Sequence, residues 1–209
     1  MNRLVWMLLL VTAAAPSVAT TIDFDDIGVG TGGNVVSGEF ATRGYLVSST
    51  EHLHVIRDLA PTTTWNGTAW LGIHNDGASA NLVTLTQIGG GLFDLHSLDI
   101  GEWFAYPNGV EVLITGTHGG VGVSRTVAVD ELAVADGDGP STDFGTVAFG
   151  AEWRSLESVT FEAVGGAGAR WYALDNLVTS PVPEPSTLAL LLAGLGLCAL
   201  PRMKGLREL

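Results

Sequence analysis

Apolar residues recur at every second position through much of this chain, as in Leu98 and Ile100 leading to Trp103 and Phe104, and again in Val110, Val112 and Ile114. Successive side chains of a strand point to opposite faces, so a period of two marks antiparallel strands buried on one face only. Short runs rich in Val, Ile, Thr and aromatics, set between Gly, Asn, Asp and Ser clusters, predict strands at 21–25, 45–49, 52–57, 70–74, 82–87, 97–104, 110–117, 124–130, 146–149, 158–163 and 171–179. No internal segment keeps a 3.6-residue apolar period. The chain is therefore expected to be all-β, an antiparallel β-sandwich or jelly roll. Glycine at 28, 30, 32 and 33 makes residues 28–33 a predicted loop, and residues 165–168 another.

The two ends break the pattern. Arg3 precedes an apolar run at 4–11, and Ser17-Val18-Ala19 places small residues where a signal peptidase reads, so residues 1–19 are predicted to be a signal peptide cleaved after Ala19. At the other end Pro183-Glu184-Pro185 leads into residues 188–200, which carry no charge or strong polar group, and then to Arg202, Lys204 and Arg207. A helix over that run would rise about 20 Å, short for a permanent span. Transient insertion fits better, with the basic end held on the cytoplasmic side and the rest of the chain outside. The folded part is expected over residues 20–180, a length suited to one domain, with residues 181–209 as a tail.

That order of parts resembles the C-terminal sorting domain of PEP-CTERM proteins, which are handled by a membrane protease-transpeptidase called exosortase. The resemblance implies an exported protein that passes the inner membrane and reaches the cell surface or extracellular matrix. It makes Pro183, Glu184 and Pro185 the sorting motif and a short hydrophobic helix the tail's membrane contact before processing. Exosortase and signal peptidase would be its partners during export. Within the domain, Ile22-Asp23-Phe24-Asp25-Asp26 and Tyr172-Ala173-Leu174-Asp175-Asn176-Leu177-Val178 resemble the first and last strands of jelly-roll domains common in PEP-CTERM proteins, and those of carbohydrate-binding modules. This second resemblance implies that the two strands are neighbours and that Asp25 and Asp175 bind a structural calcium ion, with Asp23 or Asp26 as further ligands. It names no sugar.

Charge narrows the partners. Residues 20–180 hold five arginines, no lysine and twenty Asp and Glu, a net charge of −15. Such a domain is repelled by nucleic acid and by anionic lipid headgroups, and favours cations and neutral polymers such as exopolysaccharide. The single cysteine, Cys198, lies in the tail, so the domain can form no disulfide. Its stability must come from a core or from bound ions.

Among local motifs, Asn66-Gly67 signals a type I′ hairpin turn that would pair Trp65 with Thr68 and Thr63 with Trp70. Trp65 and Trp70 would then share a face as diagonal neighbours. Turned inward the pair is ordinary packing, which the area of a buried aromatic favours; turned outward it is a ligand-binding platform for sugar rings. His52 and His54, two apart on a predicted strand, can point the same way, as metal-binding pairs do. No spacing signals a third ligand among His74, His96 and His118, and scattered histidines satisfied by hydrogen bonds are the plainer reading. Residues 136–143 are rich in Asp and Gly, yet Pro140 and Val147 stand where an EF-hand needs oxygen ligands, so a solvated turn is expected. No nucleophile elbow, HExxH, P-loop or CxxC is present. The chain is read as a non-catalytic structural or adhesive component of an exopolysaccharide biofilm, with a carbohydrate-binding module as the alternative and a secreted glycan hydrolase third.

Overall fold

A computed structural model describes residues 18–30, 33–57, 67–75, 81–103, 110–129, 144–164 and 170–183. Among these residues the strands are β1 (Thr20–Ile22), β2 (Gly33–Thr42), β3 (Tyr45–Arg57), β4 (Trp70–Asn75), β5 (Val83–Gln87), β6 (Phe93–Glu102), β7 (Val110–His118), β8 (Val121–Val129), β9 (Gly145–Ala148), β10 (Ser158–Val164) and β11 (Arg170–Pro181). Two single turns of 3₁₀ helix, Asp25–Ile27 and Ala151–Trp153, complete the inventory. All pairings are antiparallel. One compact unit, Ser17–Val182, holds every strand.

The sheet runs β8-β7-β10-β5-β3-β4-β11-β6-β9, with β1 added on β11 and β2 on β3. β3 is the element that turns this path into two halves. One of its edges is taken by β2 along nearly its whole length. Its other edge serves β5 through Tyr45–Ser49 and then β4 through His54–Ile56. Between those stretches the polar Ser49, Thr50 and Glu51 do not end the strand, because side chains satisfy the backbone there. Thr50 Oγ1 accepts from Leu82 N at 3.0 Å, and Ser49 Oγ from Glu51 N at 3.0 Å. What the sequence presents as two strands, 45–49 and 52–57, is one strand of 13 residues.

β2 is the strand that the sequence pattern misses. Most of its side chains are exposed, two of its residues are glycine, and it pairs with β3 alone, so no alternation of apolar and polar residues was required of it. The loop expected over 28–33 accordingly gives way to strand at Gly33. The β2–β3 connection is a two-residue turn, Arg43-Gly44, with φ of 49° and 85°; both values are positive, as a type I′ hairpin demands.

A single large core lies between the halves. β7 contributes Val110, Val112 and Ile114, and β10 contributes Val159, Phe161 and Ala163; they meet Tyr172, Leu174 and Leu177 of β11 and Phe93, Leu95, Leu98 and Ile100 of β6. The period of two in β7 thus selects the buried face directly. In β11 the register shifts after Asp175, where Asn176 takes a left-handed φ of 47°, a conformation that Asn tolerates better than most residues.

Candidate functional site

Residues that alternate with the core residues of β3, β4, β11 and β6 face the other way and build a second cluster. It comprises Ile56, Trp70, Trp103 and Ala173, with Phe144 and Trp171 packed on it. The same parity brings His52, His54 and His74 to this outer face. Indole rings of Trp103 and Trp171 are 4.9 Å apart and those of Trp70 and Trp103 5.8 Å. His54 stands 4.8 Å from Trp103, and His74 5.1 Å from Trp171. Trp70 and Trp103 are buried, whereas Trp171 and Phe144 remain partly exposed.

Small residues make room for these rings. A Cβ on Gly72 would come within 3.0 Å of ring carbons of both Trp103 and Trp70. Gly72→Val is therefore expected to push the two indoles apart and to lower stability by about 1–3 kcal/mol, the usual cost of overpacking. Urea denaturation of wild type and variant measures it.

Trp70 opens β4. It lies opposite Ile56 of β3, and β11 pairs along the other edge of β4 from Leu71 onward; Thr63 lies outside the described residues. With 0% of its surface exposed, Trp70 offers no free face for a sugar ring. Trp65 and Asn66 lie outside the described residues. Trp103, just past the end of β6, and Trp171 of β11 join Trp70 on this face from distant parts of the chain, and only strand parity hinted at the grouping.

The acids near the start of the domain meet arginines. Arg43 reaches both oxygens of Asp23, at 3.1 and 3.2 Å, and lies 3.9 Å from Asp26. Thr42 Oγ1 donates to Asp26 at 2.6 Å. Asp25 pairs with Arg57 and accepts from Ala69 N at 3.0 Å. Asp175 is wholly buried and accepts from Thr68 Oγ1 and Asn176 N, each at 2.8 Å. β1 does pair with β11, Ile22 lying opposite Leu177. Asp25 and Asp175 are thereby brought to consecutive residues, Ala69 and Thr68, of one segment.

Burial, with repulsion from His74 and His52, lowers the His54 pKa to about 4, so this imidazole is neutral at physiological pH. His96 and His118 are elsewhere: Nε2 of His96 lies 2.8 Å from Ser180 Oγ, and His118 Nδ1 bonds the Ser155 carbonyl.

Residues 181–200 match the PEP-CTERM protein-sorting motif. The motif implies export and sorting to the cell surface. Pro183 is exposed just after β11, while Glu184 and Pro185 lie outside the described residues. No helix among the described residues is long and apolar enough to cross a membrane. No curated protein matches the chain in sequence. Among solved structures it is similar to a variant of a family 29 carbohydrate-binding module, at 13% identity and a TM-score of 0.43, over 78% of this chain and 91% of that one. It is also similar to the family 11 carbohydrate-binding module from Clostridium thermocellum in complex with a β-1,3-1,4-mixed-linked tetrasaccharide (13% identity, TM-score 0.40, 79% and 96% covered). A third similar structure is TmCBM61 in complex with β-1,4-galactotriose (15% identity, TM-score 0.40, 70% and 92% covered). These are likenesses of fold.

Proposed function

We propose that this chain is an exosortase substrate that becomes a non-catalytic structural or adhesive component of an exopolysaccharide matrix at the cell surface. The observation that carries the reading is the sorting motif at residues 181–200, joined directly to an all-β domain. A signal peptide ending at Ala19 starts export, and the tail holds the chain in the inner membrane until it is processed. The excess of acids, with no lysine in residues 20–180, suits a soluble component among neutral polymers. The test is fractionation of producing cells: the chain is expected with the surface and matrix material, shortened at both ends. Recovery of full-length chain in the cytoplasm would overturn the proposal.

Glycan binding is the second reading, and the partly exposed Trp171 beside Trp103 favours it, since indole rings stack on sugar faces. Trp171→Ala is the variant to compare with wild type in a pull-down on insoluble exopolysaccharide. Equal retention of the two would place any sugar contact elsewhere.

Calcium belongs to the same proposal. Its hard oxygen ligands would be the carboxylates of Asp25 and Asp175, where the ion would offset the charge of a buried acid. An ion bound only by the folded state stabilises it by mass action. The melting temperature is expected to fall on chelation and to recover with calcium more than with sodium chloride at equal ionic strength, which separates a site from screening. Asp175→Asn should remove that difference. An unchanged melting curve would leave Arg57 as the cation that balances Asp25, and hydrogen bonds from Thr68 and Asn176 as the support of Asp175.

A further inference from the structure

Three histidines from two strands converge on the outer face. Alternation along β3 sets His52 and His54 on one side, and the antiparallel register that places His54 opposite Gly72 carries His74 back to the level of His52. Their candidate ligand nitrogens all lie within 4.8 Å of one another, with Nε2 of His52 and Nε2 of His74 2.5 Å apart. The backbone beneath them is fixed by Asn81, 1% exposed, whose amide nitrogen donates to the carbonyls of both His52 and His74 at 3.1 Å. His54 is oriented as well. The side-chain amide of Asn34 lies against its Nδ1, with Oδ1 at 3.2 Å and Nδ2 at 3.1 Å. Its Nε2 is buried and has no hydrogen-bond partner among the described residues. A buried nitrogen left in that state costs free energy.

We propose that His52, His54 and His74 form a site for a borderline divalent transition-metal ion, zinc in the first instance, which clamps β3 to β4. Imidazole nitrogen suits zinc, copper and nickel, and is a poor ligand for calcium or magnesium. With Zn–N bonds of about 2.0–2.1 Å in a tetrahedral site, ligand nitrogens stand about 3.3 Å apart. That separation falls between the 2.5 Å pair and the 4.8 Å limit found here. With Nε2 on the metal, Nδ1–H of His54 donates to Asn34 Oδ1, the kind of outer partner that metal-bound histidines keep. His52 and His54 are partly exposed and His74 is buried, so the cluster is reached from solvent. The domain has no thiol, and a metal clamp would supply the cross-link that a disulfide cannot.

The test uses the full chain purified in mild detergent, stripped with a chelator, then titrated with zinc chloride by calorimetry and with cobalt(II) by visible absorption. One zinc per chain is expected, together with the intense cobalt bands of a low-symmetry tetrahedral site. Copper(II) should quench indole emission, because the Trp103 and Trp171 rings lie 4.8 and 5.1 Å from His54 and His74. His52→Gln and His54→Gln should each weaken zinc binding by about 100-fold or more, and Asn34→Ala by about 10-fold. His96→Gln should change nothing, and excess calcium should not displace the zinc. Circular dichroism confirms that each variant is folded; if His74→Gln is not, the two β3 variants decide. Undiminished zinc binding in both β3 variants would overturn the proposal. Wild type without saturable binding would overturn it too, and the cluster would be a set of histidines held by hydrogen bonds.

Discussion

Trp70→Ala is expected to destabilise the domain by about 3–5 kcal/mol, the usual range for truncating a fully buried large aromatic. The indole has 0% exposure and packs edge-on to Trp103 at 5.8 Å and to Phe144 at 6.4 Å. Its strand is paired on both edges, so the sheet cannot close over the gap without losing register. Domains are stable by only about 5–15 kcal/mol, which makes this loss a large share of the total. Trp70→Phe keeps most of the ring contact and removes an indole N–H that is buried without a hydrogen-bond partner among the described residues. It should therefore cost far less, about 1 kcal/mol. Urea denaturation with an unchanged m-value reads both variants. A loss below about 1 kcal/mol for Trp70→Ala would mean that this face is open and loosely packed, and the outward platform for Trp70 would return.

The all-β fold was legible because burial on one face imposes a period of two. β7, with Val110, Val112 and Ile114 inward, obeys it without exception. β2 escaped because a mostly exposed strand paired only with β3 needs no apolar face. The break at 50–51 misled for a related reason: polar residues suit a strand where it leaves one partner for another, and Thr50 and Ser49 satisfy the backbone there. The outer face was half legible. Spacing alone put His52 and His54 on one side, but the arrival of His74 depends on the register between β3 and β4, which no local pattern encodes. The Ile56 neighbour of Trp70 is likewise set by that register and not by the Asn66-Gly67 turn signal. A turn signal reports local dihedral preference, whereas β3 supplies Trp70 with a longer-range partner.

Glu184→Ala is expected to block sorting almost completely, leaving chain with an unprocessed tail in the inner-membrane fraction and little at the surface. Glu184 follows closely on the last strand in the sequence. β11 ends at Pro181, and the amide of Val182 makes a last backbone hydrogen bond to the Leu92 carbonyl at 2.8 Å. Pro183, the first residue of the motif, is exposed immediately afterwards. Prolines at 181, 183 and 185 have no backbone N–H to donate to a sheet ladder, so the sequence itself disfavours continuing the sheet into the motif. Glu184 is the only charged side chain between Asp175 and Arg202, and so a single negative mark ahead of the apolar run, with Arg202, Lys204 and Arg207 behind it. Glu184→Gln separates charge from shape: if the enzyme reads the carboxylate, it should fail as Ala does. Both changes fall beyond the end of β11 at Pro181, so protease resistance of the folded domain should match wild type, which excludes misfolding as the cause of retention. Immunoblots of inner-membrane, surface and medium fractions carry the measurement. Surface recovery of the Ala variant at normal size and yield would remove Glu184 from the recognition step, and with it the reading of this tail as an exosortase signal.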